Sequence, residues 1–264
     1  MVIDIKGKKE AITPPDIVNR LLAAAGEDMV LVGGQALAFW VLRYELVIPS
    51  GHAAISSDTD FLAVATHGRS LVERMAKVIH GQALFPSRRA LTALVGQAVR
   101  PISDDEFVNV DVIDSVIGIA EGDVRSRAVH ATVDGQSFLV MHPLHVLRSR
   151  LANIYTLTEK QGTKGEMQLA LAIDVAREFV RAEARDKQGH GESTRSPIQP
   201  YVSEIERMAL DDAGRKVAQR FGIRVADAID PSSIPAGPFW DRKWPTLVTL
   251  MSADYANRYQ PPKP

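Results

Sequence analysis

The chain has 264 residues, 45% apolar and 24% charged, enough for one large domain or two modest ones with real cores. A formal net charge of −1 excludes a global basic field that would draw it onto nucleic acid, and the absence of cysteine excludes disulfide frameworks, thiolate zinc sites and cysteine nucleophiles. The N-terminus has no apolar core of signal-peptide type and no apolar run reaches ~18 residues, so a cytoplasmic protein without a membrane span is expected.

Thr13-Pro14-Pro15-Asp16 opens an amphipathic helix with Ile17, Leu21 and Leu22 on one face; Thr13 is its expected cap and Gly26 its stop. Residues 29–32 (MVLV) read as a short buried strand running straight into Gly33-Gly34, and residues 35–42 as a helix packed back on it. An irregular connection over 45–57 leads to a strand over 58–64, DTDFLAV. Helical spacing follows over 69–80 and stops at Gly81, with a further strand near 93–99. FVNVDVI, 107–113, is the clearest strand: Val108, Val110 and Val112 point one way, and Phe107, Asn109, Asp111 and Ile113 the other. A hairpin over 128–141 turns at Asp134-Gly135.

From His142-Pro143 onward the pattern is helical, with helices expected over 143–158, 165–185, 201–221 and 240–258 and a polar linker or loop over 186–200. The expected architecture is α+β: a mixed sheet with flanking helices over 1–141, followed by a helical domain over 142–264. No internal repeat is present.

Phosphoryl transfer from a nucleotide requires close approach of backbone to the phosphates and a divalent cation to neutralise developing charge. Gly33-Gly34 meets the first need, because glycine lets the chain approach a phosphate and the following helix presents free N–H groups. Asp58 and Asp60, one residue apart on a strand, share a face; so close a pair repels unless a cation or a proton lies between them. Asp111 supplies a third acid where a core strand would carry an apolar residue, and it is placed to take the proton of an attacking hydroxyl. Two Mg²⁺ ions are expected on Asp58, Asp60 and Asp111. Asp114, on the opposite strand face, reads as a turn residue.

LVGGQALAFW, SDTDFL and VNVDVI together resemble the nucleotidyltransferase fold of the DNA polymerase beta superfamily, over about residues 28–114. The GGQALA opening is most similar to the AbiEii/AbiGii-type toxin nucleotidyltransferases of type IV toxin–antitoxin systems. The resemblance implies transfer of an NMP from an NTP to a hydroxyl acceptor, tRNA or another RNA, by a toxin-like component with a cognate antitoxin. It implies the phosphates over Gly33 and Gly34 and a nucleotide-contacting lysine in the first C-terminal helix; Ser57, Arg148 and Arg150 are the further nucleotide-binding candidates of this chain. The chain departs from the family in its long 35–57 stretch. It departs again in the helix HPLHVLRSRLANIY, which has Arg148 and Arg150 but no lysine before Lys160. Arginine binds phosphate but does not act as a base. The alternatives are a binding or regulatory protein of the same fold with impaired catalysis, and transfer to a small molecule or a protein.

Other residues carry two readings. Arg148, Arg150, Lys160 and Lys164 form either a phosphate-binding face or a solvated helix face. His142 and His145 have a spacing that can ligate metal but read as helix-start residues. Ser56 and Ser57 either help to hold phosphate or cap the loop; Trp40 reads as core, and Trp240 and Trp244 as anchors of the last helix.

Overall fold

The computed structural model describes residues 7–50, 55–63, 67–87, 89–120, 122–188 and 198–259. The chain is α+β, as the element pattern predicted, and divides into two compact units: Met1–Trp40 with Pro49–Ser149, and Val41–Ile48 with Arg150–Pro264. Val64 of the expected third strand, residues 51–54 of the connection and residues 189–197 of the expected linker lie outside the described residues.

The first unit is built on a mixed sheet. In chain order its elements are β1 (Lys9–Glu10), α1 (Pro15–Ala25), β2 (Met29–Val32), the start of α2 (Gly33–Arg43), β3 (Thr59–Ala63), α3 (Gly68–Val78), β4 (Gln82–Leu84), β5 (Leu94–Pro101), β6 (Glu106–Ile113), α4 (Asp123–Ser126), β7 (Val129–Val133), β8 (Gln136–Val140) and the start of α5 (Pro143–Thr156). The strands run in the order β4-β5-β6-β3-β2-β8-β7, with β1 beside β6. β3 and β6 are parallel neighbours and β2 lies antiparallel to β3, so the two strands that carry acids lie side by side.

Strand alternation sorts the sheet into a core face and a site face. Phe61 pairs with Val112 and Gly96 with Val112; Val108, Val110 and Val112 are fully buried, with α3 packed over β4, β5 and β6. One residue out of phase, Asp60 pairs with Asp111, Asp111 with Gln97, and Asp60 with Val32 on the opposite face. The same alternation that buries the valines therefore gathers the polar side chains.

Local chemistry moves several boundaries. Pro14 is extended, so α1 starts at Pro15 and has no side-chain cap; Thr13 instead directs both its N–H and its hydroxyl to the carbonyl of Ser57, at 3.0 and 3.1 Å. α3 ends at Val78, two residues before the expected stop, because His80 takes a left-handed conformation and the N–H of Gly81 closes on Ala76. The hairpin turns at Asp134 and Gly135, both at positive φ, as the dipeptide predicted.

In the second unit the helices are the end of α5, α6 (Thr163–Gln188), α7 (Gln199–Leu210), α8 (Asp212–Phe221), α9 (Pro238–Arg242), α10 (Trp244–Leu247) and α11 (Ala253–Ala256). The single helix expected over 201–221 is two, because Asp211 is extended and its carboxylate accepts from the N–H of Gly214 at 2.8 Å, capping α8. The expected 240–258 helix is three short ones: Pro245 withholds a donor and Ser252 restarts the chain in extended geometry before α11. Trp240 and Trp244 are buried with ring centroids 5.1 Å apart. Among the described residues no helix is long and apolar enough to cross a membrane.

Candidate functional site

The site face of the sheet brings Asp58, Asp60 and Asp111 together. Each offers one carboxylate oxygen, and the three oxygens lie within 4.8 Å of one another, in partly buried positions. Asp60 and Asp111 are register partners on β3 and β6, and Asp58 immediately precedes β3. Thr59, between Asp58 and Asp60, is fully buried on the opposite face, where it meets Thr13. Asp114 lies past the strand end, bonded through its carboxylate to the hydroxyl of Ser115.

The strand–Gly-Gly–helix turn packs against this cluster. Gly33, the first residue of α2, has φ +65, and a Cβ on it would lie 1.8 Å from Oδ2 of Asp60. A Cβ on Gly34 would lie 2.2 Å from Oγ of Ser56. The glycines thus have a role the sequence reading did not assign: they make room for the acid and the serine. No Cβ contact of this kind occurs in real structures, so neither position accepts a side chain without displacing its neighbour.

Protein donors orient Asp58 and Asp111. The Ser56 hydroxyl donates to Oδ1 of Asp58 at 2.6 Å. The Gln97 and Asn109 amides both donate to Oδ1 of Asp111 at 2.9 Å, and Gln97 also donates to Oδ1 of Asn109 at 3.4 Å. Burial raises the Asp111 carboxyl above its ordinary range, the Gln97 and Asn109 donors pull it back, and the charge of Asp58 raises it further. Asn109 was legible as a face-mate of Asp111 two residues away. Gln97 was not, because its place opposite Asp111 is set by the pairing of β5 with β6.

The other residues singled out in the sequence lie on several elements. Ser57 is partly exposed and its carbonyl is held by Thr13. Arg148 is partly buried on the portion of α5 in the first unit. Arg150 belongs to the second unit, where it is buried and donates to Oε1 of Gln168 at 3.3 Å. Trp40 is core, its indole N–H bonded to the Met141 carbonyl at 2.8 Å. His142 opens α5, its Nδ1 accepting the Leu144 N–H at 3.1 Å; burial, then the charges of Arg127 and His145, push it down to about 3.

The donor set suits a hard divalent cation. Three carboxylates converge, each offering one oxygen, while Oδ1 of Asp58 and Oδ1 of Asp111 accept hydrogen bonds from the protein. Mg²⁺ takes such oxygens and keeps positions for phosphate. No known protein-family model matches the chain, and no curated protein matches it.

Proposed function

We propose that the chain is a metal-dependent nucleotidyltransferase that moves an NMP from an NTP to a hydroxyl acceptor, with RNA, tRNA included, as the acceptor class. The observation that carries this reading is the contact between two motifs remote in sequence: Gly33-Gly34 packs directly on Asp60 and Ser56, beside a three-carboxylate cluster. The resemblance of LVGGQALAFW, SDTDFL and VNVDVI to polymerase beta-type nucleotidyltransferases supports it, and likeness to the AbiEii/AbiGii toxins extends it to a toxin-like role with a cognate antitoxin in the cytoplasm.

Asp58, Asp60 and Asp111 would hold Mg²⁺, which when bound supplies neutralisation of the charge that grows on the phosphate oxygens. The backbone N–H groups of Gly33-Gly34, at the start of α2 beside the carboxylates, receive the phosphates. Asp111 is placed to take the proton of the attacking hydroxyl. The hydroxyl oxygen bonds to the α-phosphorus, the bond to the bridging oxygen breaks, and pyrophosphate leaves.

The test is label transfer from each α-³²P-NTP to total cellular RNA, beside Asp58→Ala/Asp60→Ala. Label on a discrete RNA band that the variant lacks is the expected result. Pyrophosphate release without labelled RNA redirects the acceptor to a protein or small molecule. Nucleotide binding with no turnover on any acceptor defeats the enzyme reading in favour of a binding protein.

A further inference from the structure

Resting on the reading of the acidic cluster as a metal site, we propose that Ser56, Gln97 and Asn109 are positioning residues that limit Asp58 and Asp111 to one ligating oxygen each. The site thereby selects a small octahedral cation, Mg²⁺ or Mn²⁺, over Ca²⁺.

Each half of the device has its own anchor. On the Asp58 side, Ser56 is buried and donates to Oδ1, and its Oγ fills the place where a Gly34 side chain would stand. The short bond from this buried serine occupies Oδ1 and leaves Oδ2 as the oxygen to ligate. On the Asp111 side, two amide donors converge on Oδ1 and saturate its lone pairs. Gln97 is fixed opposite Asp111 by strand register, and its second bond to Asn109 holds the Asn109 carboxamide with its NH₂ toward the acid. Asn109 is itself buried in the middle of β6.

Ca²⁺ takes six to eight oxygens, often by bidentate carboxylates in adaptable geometry, whereas Mg²⁺ requires about six in near-ideal octahedral geometry and uses few carboxylate oxygens. Carboxylates with one oxygen already bonded, on or directly beside the sheet, satisfy the second demand and frustrate the first. Groups that hydrogen-bond metal ligands in this manner set both affinity and preference.

The experiment is calorimetric titration of the full-length protein with Mn²⁺ and with Ca²⁺, without nucleotide, for wild type, Ser56→Ala, Gln97→Met and Gln97→Met/Asn109→Ala. Asp60→Asn serves as the control for site loss. Metal-free melting curves identify variants that remain folded. Expected is tighter Mn²⁺ than Ca²⁺ binding in wild type, with the double variant losing about 10- to 100-fold in Mn²⁺ affinity and less in Ca²⁺ affinity, so that the preference narrows. Equal losses for both ions, or an unchanged ratio in every folded variant, overturn the selection while leaving the metal site standing. Wild-type protein that binds neither ion overturns the metal site and the selection with it.

Discussion

At the scale of single residues, the two glycines carry the sharpest predictions. Gly33→Ala places a side chain at φ +65 and against Asp60, and should cost roughly 1–3 kcal/mol in urea unfolding while abolishing metal binding. The severe clashes of Gly34→Ala are with the Ser56 side chain, so Gly34→Ala/Ser56→Gly should recover part of the loss. A coupling on the order of 0.5–3 kcal/mol in that double-mutant cycle is expected, and strict additivity would contradict the packing. Asp111→Asn should abolish metal-dependent activity yet raise the melting temperature of the metal-free protein, because a neutral side chain removes a buried charge held beside Asp58. The three aspartates were legible in sequence because i, i+2 spacing on a strand puts Asp58 and Asp60 on one face and because Asp111 interrupts an apolar alternation. The residues that orient them were only half legible: Asn109 shares that alternation, whereas Ser56 and Gln97 gain meaning only from contacts with Gly34 and β6.

At the scale of elements, helix starts decide where the sequence pattern held and where it broke. α5 begins as expected at Pro143, and its cap is neutral His142, with burial pushing the imidazole down to about 3 and the charges of Arg127 and His145 adding to the effect. A base held below its unfolded value contributes stability that is present above about pH 6.5 and is lost as pH falls toward the folded value. Between pH 6.5 and 5 this amounts to about 2 kcal/mol, from 1.4 kcal/mol per unit. Urea unfolding at pH 7 and pH 5 should show this slope in wild type and not in His142→Asn, which keeps an acceptor but does not titrate. Asp211 is the counterpart in the second unit: Asp211→Ala should cost about 1 kcal/mol, by loss of the bond to the Gly214 N–H. Its effect on boundaries was missed because hydrophobic periodicity continues across 211, and a cap acts on one residue where periodicity averages over many. β1 and β4, two and three residues long, carry no period at all; β1 exists through its pairing with β6 and β4 through its pairing with β5.

For the whole molecule, the metal is the expected handle on stability. Divalent ion at a hundredfold excess over its dissociation constant should stabilise the protein by about 2.7 kcal/mol, and Asp60→Asn should remove that gain while leaving the metal-free melt in place. The division into units follows contacts more than chain order: residues 41–48, within the 35–57 stretch, group with the helical unit. There burial pushes the Tyr44 phenol up to about 12, opposed by Arg43 and reinforced by Glu183 and Glu178. Sequence alone determined the fold class, the alternation of β6, the strand–Gly-Gly–helix turn and the identity of the three acids, because each is written in local spacing with periods of 2 or 3.6 residues. Tertiary structure alone decided that Gly33 and Gly34 seat Asp60 and Ser56, that Gln97 faces Asp111, and that Arg150 turns to Gln168 in the second unit. Those are cross-strand and interhelix relations between residues 14 to 27 positions apart. They depend on register and packing, which no local period encodes.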